Sequence, residues 1–227
     1  MKPFIVCEHA DFGYENQDAV VDLSITIDPG DYLCIVGANG SGKSTLIKGL
    51  LGLLAPTAGT LIVAEELRRG GIGYLPQQTA AQRDFPATVS EVVLSGTLSR
   101  RGNRPFYSQE ERRLARQSME RLGITELKKQ CYRELSGGQQ QRVGIARALV
   151  VKPKIIFADE PTGNLDSKTT MEVLALMRRI VREQKQTLVM VTHDNHLATY
   201  ADRQFHIVDG KILKIEERQD KEELEDI

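Results

Sequence analysis

Residues 37 to 44 read Gly37-Ala-Asn-Gly40-Ser-Gly42-Lys43-Ser44 and carry the strongest chemical signal in the chain. Phosphates of a nucleotide need many donors in little space. Glycines let backbone N–H groups turn inward where a Cβ would obstruct them. The motif follows the apolar run Tyr32–Val36 and opens a helical pattern, which is the context it requires. Lys43 is expected to reach the β- and γ-phosphates and Ser44 to ligate Mg²⁺, with the positive end of the helix adding to the site.

Two carboxylates follow far downstream. Asp159 closes the apolar run Ile155-Ile-Phe-Ala158, and Glu160 is next. At the carboxyl edge of a sheet, Asp159 would hold Mg²⁺ through water, and Glu160, one residue further on, would face an attacking water as general base. Alone, an Asp-Glu pair is only a polar strand end; the upstream loop makes it catalytic. His193 follows a third apolar run and is expected to sense or stabilise a γ-phosphate.

A second anion site lies at Ser136-Gly137-Gly138, ahead of a helical run from Gln139 to Val150. Ser136 is a candidate N-cap, and free N–H groups with the helix dipole favour negative charge there. One chain thus carries two phosphate-binding elements that are not expected to close on one nucleotide. Two copies in head-to-tail apposition, with two nucleotides between them, resolve this, and symmetry makes the sites equivalent.

Positioning these groups requires strands and helices in alternation. Apolar runs at 32–36, 155–158 and 188–191 read as buried parallel strands. Helices are expected from Ser44 to Leu54, ended by Pro56, and from Ser167 to Gln184, capped by Asp166 with Met171, Leu174, Met177 and Val181 inward. Residues 77–150 have few strand signals and read as an inserted helical subdomain. A break falls at Gly102–Pro105, and Arg100, Arg101, Arg104, Arg112, Arg113, Arg116 and Arg121 make the segment basic. That face is either solvated or a contact surface for an anionic membrane or partner. The core is expected over 1–76 and 151–215, and residues 216–227 form an acidic tail, solvated or disordered.

Composition excludes several classes. The 227 residues carry a formal net charge of −1 and 5% aromatics without Trp, which argues against nucleic acid as partner. Cys7, Cys34 and Cys131 show neither zinc nor disulfide spacing, and His193 with His196 lacks further ligands. The start is not a signal peptide, and no run reaches the roughly 18 apolar residues of a membrane span. A cytoplasmic chain is expected.

With these motifs in this order, the chain resembles the ATP-binding-cassette ATPases over nearly its whole length. The matching stretches are the Walker A loop (Gly37, Asn39, Gly40, Ser41, Gly42, Lys43, Ser44, Thr45), the signature Leu135–Gln139, the Walker B run Ile155–Glu160, the D-loop Asn164-Leu165-Asp166 and the switch residue His193. The resemblance implies a P-loop NTPase (RecA-like) α/β core with an antiparallel β subdomain and an inserted helical subdomain. It implies ATP and Mg²⁺ as ligands, with Ser136, Gly137, Gly138 and Gln139 touching nucleotide. Gln77 in Tyr74-Leu-Pro-Gln77-Gln78 would contact Mg²⁺ and the attacking water and couple the site to the helical subdomain; Tyr14 would stack on adenine or, alternatively, fill the core. Members mostly power membrane transport, so separate permease chains, a second copy and an extracytoplasmic substrate-binding protein are implied, with the chain peripheral on the inner face of the membrane. Asp84–Gly96 looks like the zinc/manganese importers, whereas Phe157–Asp166 is similar to lipoprotein-release and macrolide-export ATPases. Permeases dock near the former, so a metal importer is expected, with lipoprotein release or macrolide/peptide export as alternative. A soluble cassette ATPase on ribosomes or DNA, and a non-catalytic nucleotide-binding regulator, are further alternatives.

Overall fold

The structure is a computed structural model and describes residues 2–15, 17–68, 70–79, 84–101, 104–163 and 165–218. Asn164, Gly102-Asn103, the side chains of Arg100 and Arg101, and most of the acidic tail (219–227) lie outside the described residues.

Six strands form the central sheet in the order β5 (Ile72–Leu75), β6 (Ile155–Asp159), β7 (Thr187–Thr192), β3 (Tyr32–Val36), β8 (Arg203–Val208) and β9 (Lys211–Glu217). Every pair is parallel except β8–β9. β3, β6 and β7 are buried along their whole length, as expected for nearly unbroken apolar runs covered on both faces. Alternate side chains leave opposite faces. Cys34, Val36, Ile156, Ala158, Leu188 and Met190 enter one core with the helices, and Leu33, Ile35, Ile155, Phe157, Val189 and Val191 enter the other.

That second core is closed by an antiparallel sheet, β2 (Gln17–Ile27), β1 (Ile5–Tyr14) and β4 (Ala58–Val63), in that order. Helix α1 (Lys43–Leu50) is wedged between the sheets. Its Leu46, Ile47 and Leu50 are fully buried in the cluster that holds Ile5, Phe12 and Leu23. The helix is shorter than the sequence predicts. Gly52, at φ +70°, turns the chain left-handed, and the N–H groups of Leu53 and Leu54 fold back onto the Lys48 carbonyl at 2.9 and 3.2 Å. Gly52, not Pro56, ends it.

Between β5 and β6 the chain forms α2 (Val89–Ser95), α3 (Leu98–Arg101), α4 (Gln109–Arg121) and α5 (Gly137–Leu149); α6 (Ser167–Gln184) and α7 (Asn195–Ala198) follow. α2 and α4 start at capping boxes, Thr88 with Glu91 and Ser108 with Glu111. Arg104 and Arg113 pair with Glu111 and Glu110, so part of the basic face is neutralised locally. α5 packs on α2, α4, α6 and β5 and thereby joins the helices to the sheet. Gly96, just after α2, lets the chain approach α5: a Cβ there would lie 2.1 Å from the Arg147 carbonyl oxygen. Gly96→Val is therefore expected to destabilise the chain by about 3 kcal/mol through forced separation of the two helices, read as a lowered denaturation midpoint.

Candidate active site

The glycine loop leaves the carboxyl end of β3 and is braced on both sides. Gly37 N–H donates to Thr192 O at 3.3 Å, and Gly210 N–H donates to Ser41 O at 3.0 Å. Gly42 sits at φ +100°, and a Cβ on it would fall 2.4 Å from Ala19 O; only glycine fits. Lys43 is 7% exposed, and its Nζ donates to the carbonyls of Gly37 and Ala38, both at 2.7 Å. The ammonium is thus stored against the loop that a phosphate would enter. Ser41 is buried with its Oγ unpartnered among the described residues. Among the described residues no side chain caps α1, so its leading N–H groups are left for the loop, while Gly40 and Ser44 are exposed beside them.

Two strands away, Asp159 ends β6 at 7% exposure. Burial, then the neighbouring Glu160 charge, raises its carboxyl above the ordinary range, and Lys43 and Lys48 oppose this. A raised folded-state pKa contributes stability below the unfolded pKa that is lost as pH rises through the folded one. Asp159→Asn should therefore raise the melting temperature of the nucleotide-free chain at pH 7, by an amount that shrinks as pH falls through the carboxylate range. Thermal unfolding of both chains across pH checks this.

Glu160 departs from the strand with φ +47°, unusual for a side chain with a Cβ. Its N–H donates to Val191 O at 2.9 Å. Both carboxylate oxygens lie 2.9 Å from His193 Nδ1. A carboxylate only accepts, so Nδ1 carries the proton. The Glu160 side chain is 8% exposed and that of His193 53%, which leaves the imidazole as the solvent-facing partner.

Ser136 caps α5. Its Oγ accepts from Gln139 N–H at 3.3 Å, and Gln139 Oε1 accepts from Ser136 N–H at 2.9 Å. The helix starts at Gly137, two residues earlier than the sequence predicts, because Ser136 itself satisfies the cap. Ser136 and Gly137 are exposed, with Gly138 and Gln139 half-buried; the hydrogen bonds of Ser136 stay within its own turn. Asp166 caps α6 through Thr169 N–H at 3.0 Å, and bonds from Thr169 hold its carboxyl below the ordinary range.

Tyr14 is 49% exposed, so the core alternative for it fails. Lys48 Nζ donates to its hydroxyl at 3.1 Å and lies 5.4 Å from the ring centroid. Gln77 is exposed, whereas Gln78 is half-buried and donates to Tyr132 Oη at 3.2 Å. Sequence reasoning missed Thr192, whose hydroxyl lies 3.5 Å from Glu160 Oε2 and accepts from Asp194 N–H at 3.1 Å. A polar residue closing an apolar strand just before His193 was the available signal. Lys48 and Tyr132 were missed as well, and nothing in their spacing marks them.

A family profile described as "ABC transporter" matches residues 20–163. A lipoprotein-releasing system ATP-binding protein of Rhodopseudomonas palustris is 40% identical over 203 residues, covering 84% of this chain and 87% of the relative. A probable metal transport system ATP-binding protein of Chlamydia pneumoniae is 35% identical over 202 residues, covering 86% and 82%. The dimeric structure of an ATP-binding cassette in a post-hydrolysis state, bound to ADP and Pi, superposes with a TM-score of 0.79 at 30% identity, covering 94% of this chain and 98% of that one.

Proposed function

We propose that this chain, which belongs to the ABC transporter family, is the ATP-hydrolysing subunit of an importer for zinc or manganese. The ATPase and its P-loop fold are family properties the chain shares; the cargo is our reading. What supports it is the stretch 84–96, which resembles the metal importers and lies where a permease would be met. In this chain Phe85 is 56% exposed there, a large apolar side chain offered to a partner. Similarity to a metal transport ATPase in Chlamydia agrees. A second reading, lipoprotein release, is favoured by the 40% identity to the Rhodopseudomonas protein and by Phe157–Asp166.

The chemistry follows from the site. The loop N–H groups and Lys43 would hold the phosphates, with Tyr14 stacked on adenine. Oxygen donors Ser44, Gln77 and Asp159 suit Mg²⁺, which when bound would neutralise charge on the β- and γ-phosphates. Glu160 would orient and deprotonate the attacking water, and His193, now bonded to Glu160, would turn toward the γ-phosphate. Ser136, Gly137 and Gly138 would meet the nucleotide of a second copy, with Asp166 at the seam between the copies. Partners are that copy and separate permease chains, with a substrate-binding protein outside the membrane. Among the described residues no helix is long and apolar enough to cross a membrane, so attachment would run through the permease at the inner face.

Deleting the chain from its cell distinguishes the cargoes. Expected is a fall of zinc or manganese uptake to background, with lipoproteins released normally. Normal metal uptake with lipoproteins retained in the membrane would contradict the proposal.

A further inference from the structure

We infer that Tyr132 is a positioning residue that transmits movement between the Gln77–Gln78 segment and the Ser136 end of α5. This inference rests on the two-copy reading above. Tyr132 is 7% exposed, in a 3-10 turn four residues before Ser136, and the bonds below tie it to three described segments at once. Its Oη accepts from Gln78 Nε2 at 3.2 Å. Its N–H donates to Ala87 O at 2.8 Å. Its carbonyl accepts from Gln140 Nε2 at 3.0 Å, one residue beyond the Ser136–Gln139 box. The joint between the Ala87 stretch and the segment of Tyr132 itself continues through the Thr88–Cys131 bridge and Val89 N–H to Gln130 O at 3.0 Å.

These bonds divide labour between adjacent glutamines. Gln77 is exposed and free to meet nucleotide, while Gln78 anchors the segment to the ring beside the signature helix. Gln140 is itself 4% exposed. If α5 advances to place Ser136 on a facing nucleotide, Gln140 carries the Tyr132 backbone with it. The ring is packed in the helical core and cannot swivel freely, so its hydroxyl pulls Gln78, and with it Gln77, in register. A buried, bonded network of this kind moves as one body. The same Tyr132 backbone holds Ala87, in the stretch where a permease would press, so a push there reaches both ends together.

Tyr132→Phe deletes the hydroxyl and leaves the ring packing and both backbone bonds. Gln78→Leu removes the donor from the other side. Gln78→Glu is the rescue, since a carboxylate can accept from the Tyr132 hydroxyl. ATP hydrolysis by the purified chain is measured for kcat, KM and cooperativity in ATP, with melting temperature alongside. Expected is a kcat lowered about tenfold in Tyr132→Phe and in Gln78→Leu, with KM within about twofold. Expected too are a double variant no worse than either single and a Gln78→Glu rate near that of the unaltered chain. Single variants with full kcat and cooperativity overturn the inference, as do losses that multiply in the double variant or that follow melting temperature alone. If the unaltered chain is itself non-cooperative and indifferent to its own concentration, the two-copy reading fails and the inference with it.

Discussion

Glu160→Gln is expected to hydrolyse ATP a few hundredfold more slowly than the unaltered chain, a barrier increase of about 3–4 kcal/mol. Phosphoryl transfer is mostly positioning and charge stabilisation, so a carboxylate that accepts the proton of the attacking water, the role proposed for Glu160, would carry a large share. The amide leaves the site standing. Glutamine keeps an oxygen that can accept from His193 Nδ1, and the bond from residue 160 N–H to Val191 O is untouched. The loop and Lys43 are unaltered, so the variant should still bind nucleotide and accumulate as an ATP-bound pair. Phosphate release, with particle mass measured in the presence of ATP, reads both. A turnover within about threefold of the unaltered chain would remove Glu160 from the role of base.

Ser136→Asp separates folding from function in the opposite half of the site. Aspartate is as good an N-cap as serine, so α5 keeps its start and the melting temperature changes little. The new carboxylate would nevertheless face the γ-phosphate of the second copy. Two unit charges about 4 Å apart at an effective dielectric near 20 repel by about 4 kcal/mol, roughly a thousandfold. Turnover and ATP-driven pairing should collapse together while nucleotide affinity of the single chain persists. Preserved turnover in a folded Ser136→Asp chain would mean that this turn meets no phosphate.

The sequence discloses most clearly the elements whose pattern is local. β3 at Tyr32–Val36 and α6 at Ser167–Gln184 match their expected bounds, the first because every residue is buried, the second because Asp166 caps it and its stripe is regular. Met171 at the start of that stripe is only half-buried, since α6 reaches the core fully from Val173 onward. The antiparallel layer is harder to see. β1 has register shifts between Cys7 and Ala10 and again before Phe12, with His9 at φ +48°, so its alternation is interrupted and only the family resemblance points to it. Of the site, the loop, both carboxylates and the Ser136 cap declare themselves by residue type and spacing. The Glu160–His193 contact spans 33 positions and the Gln78–Tyr132 bond 54. No periodicity encodes such pairings, because the parallel sheet and the helices packed on it bring the partners together.

Specific ATPase activity, followed over about a hundredfold range of protein concentration with particle mass recorded in parallel, tests the need for two copies most directly. Activity per chain is expected to climb with concentration and to level off where ATP-bound pairs dominate. Full activity per chain from particles of single-chain mass would contradict that need.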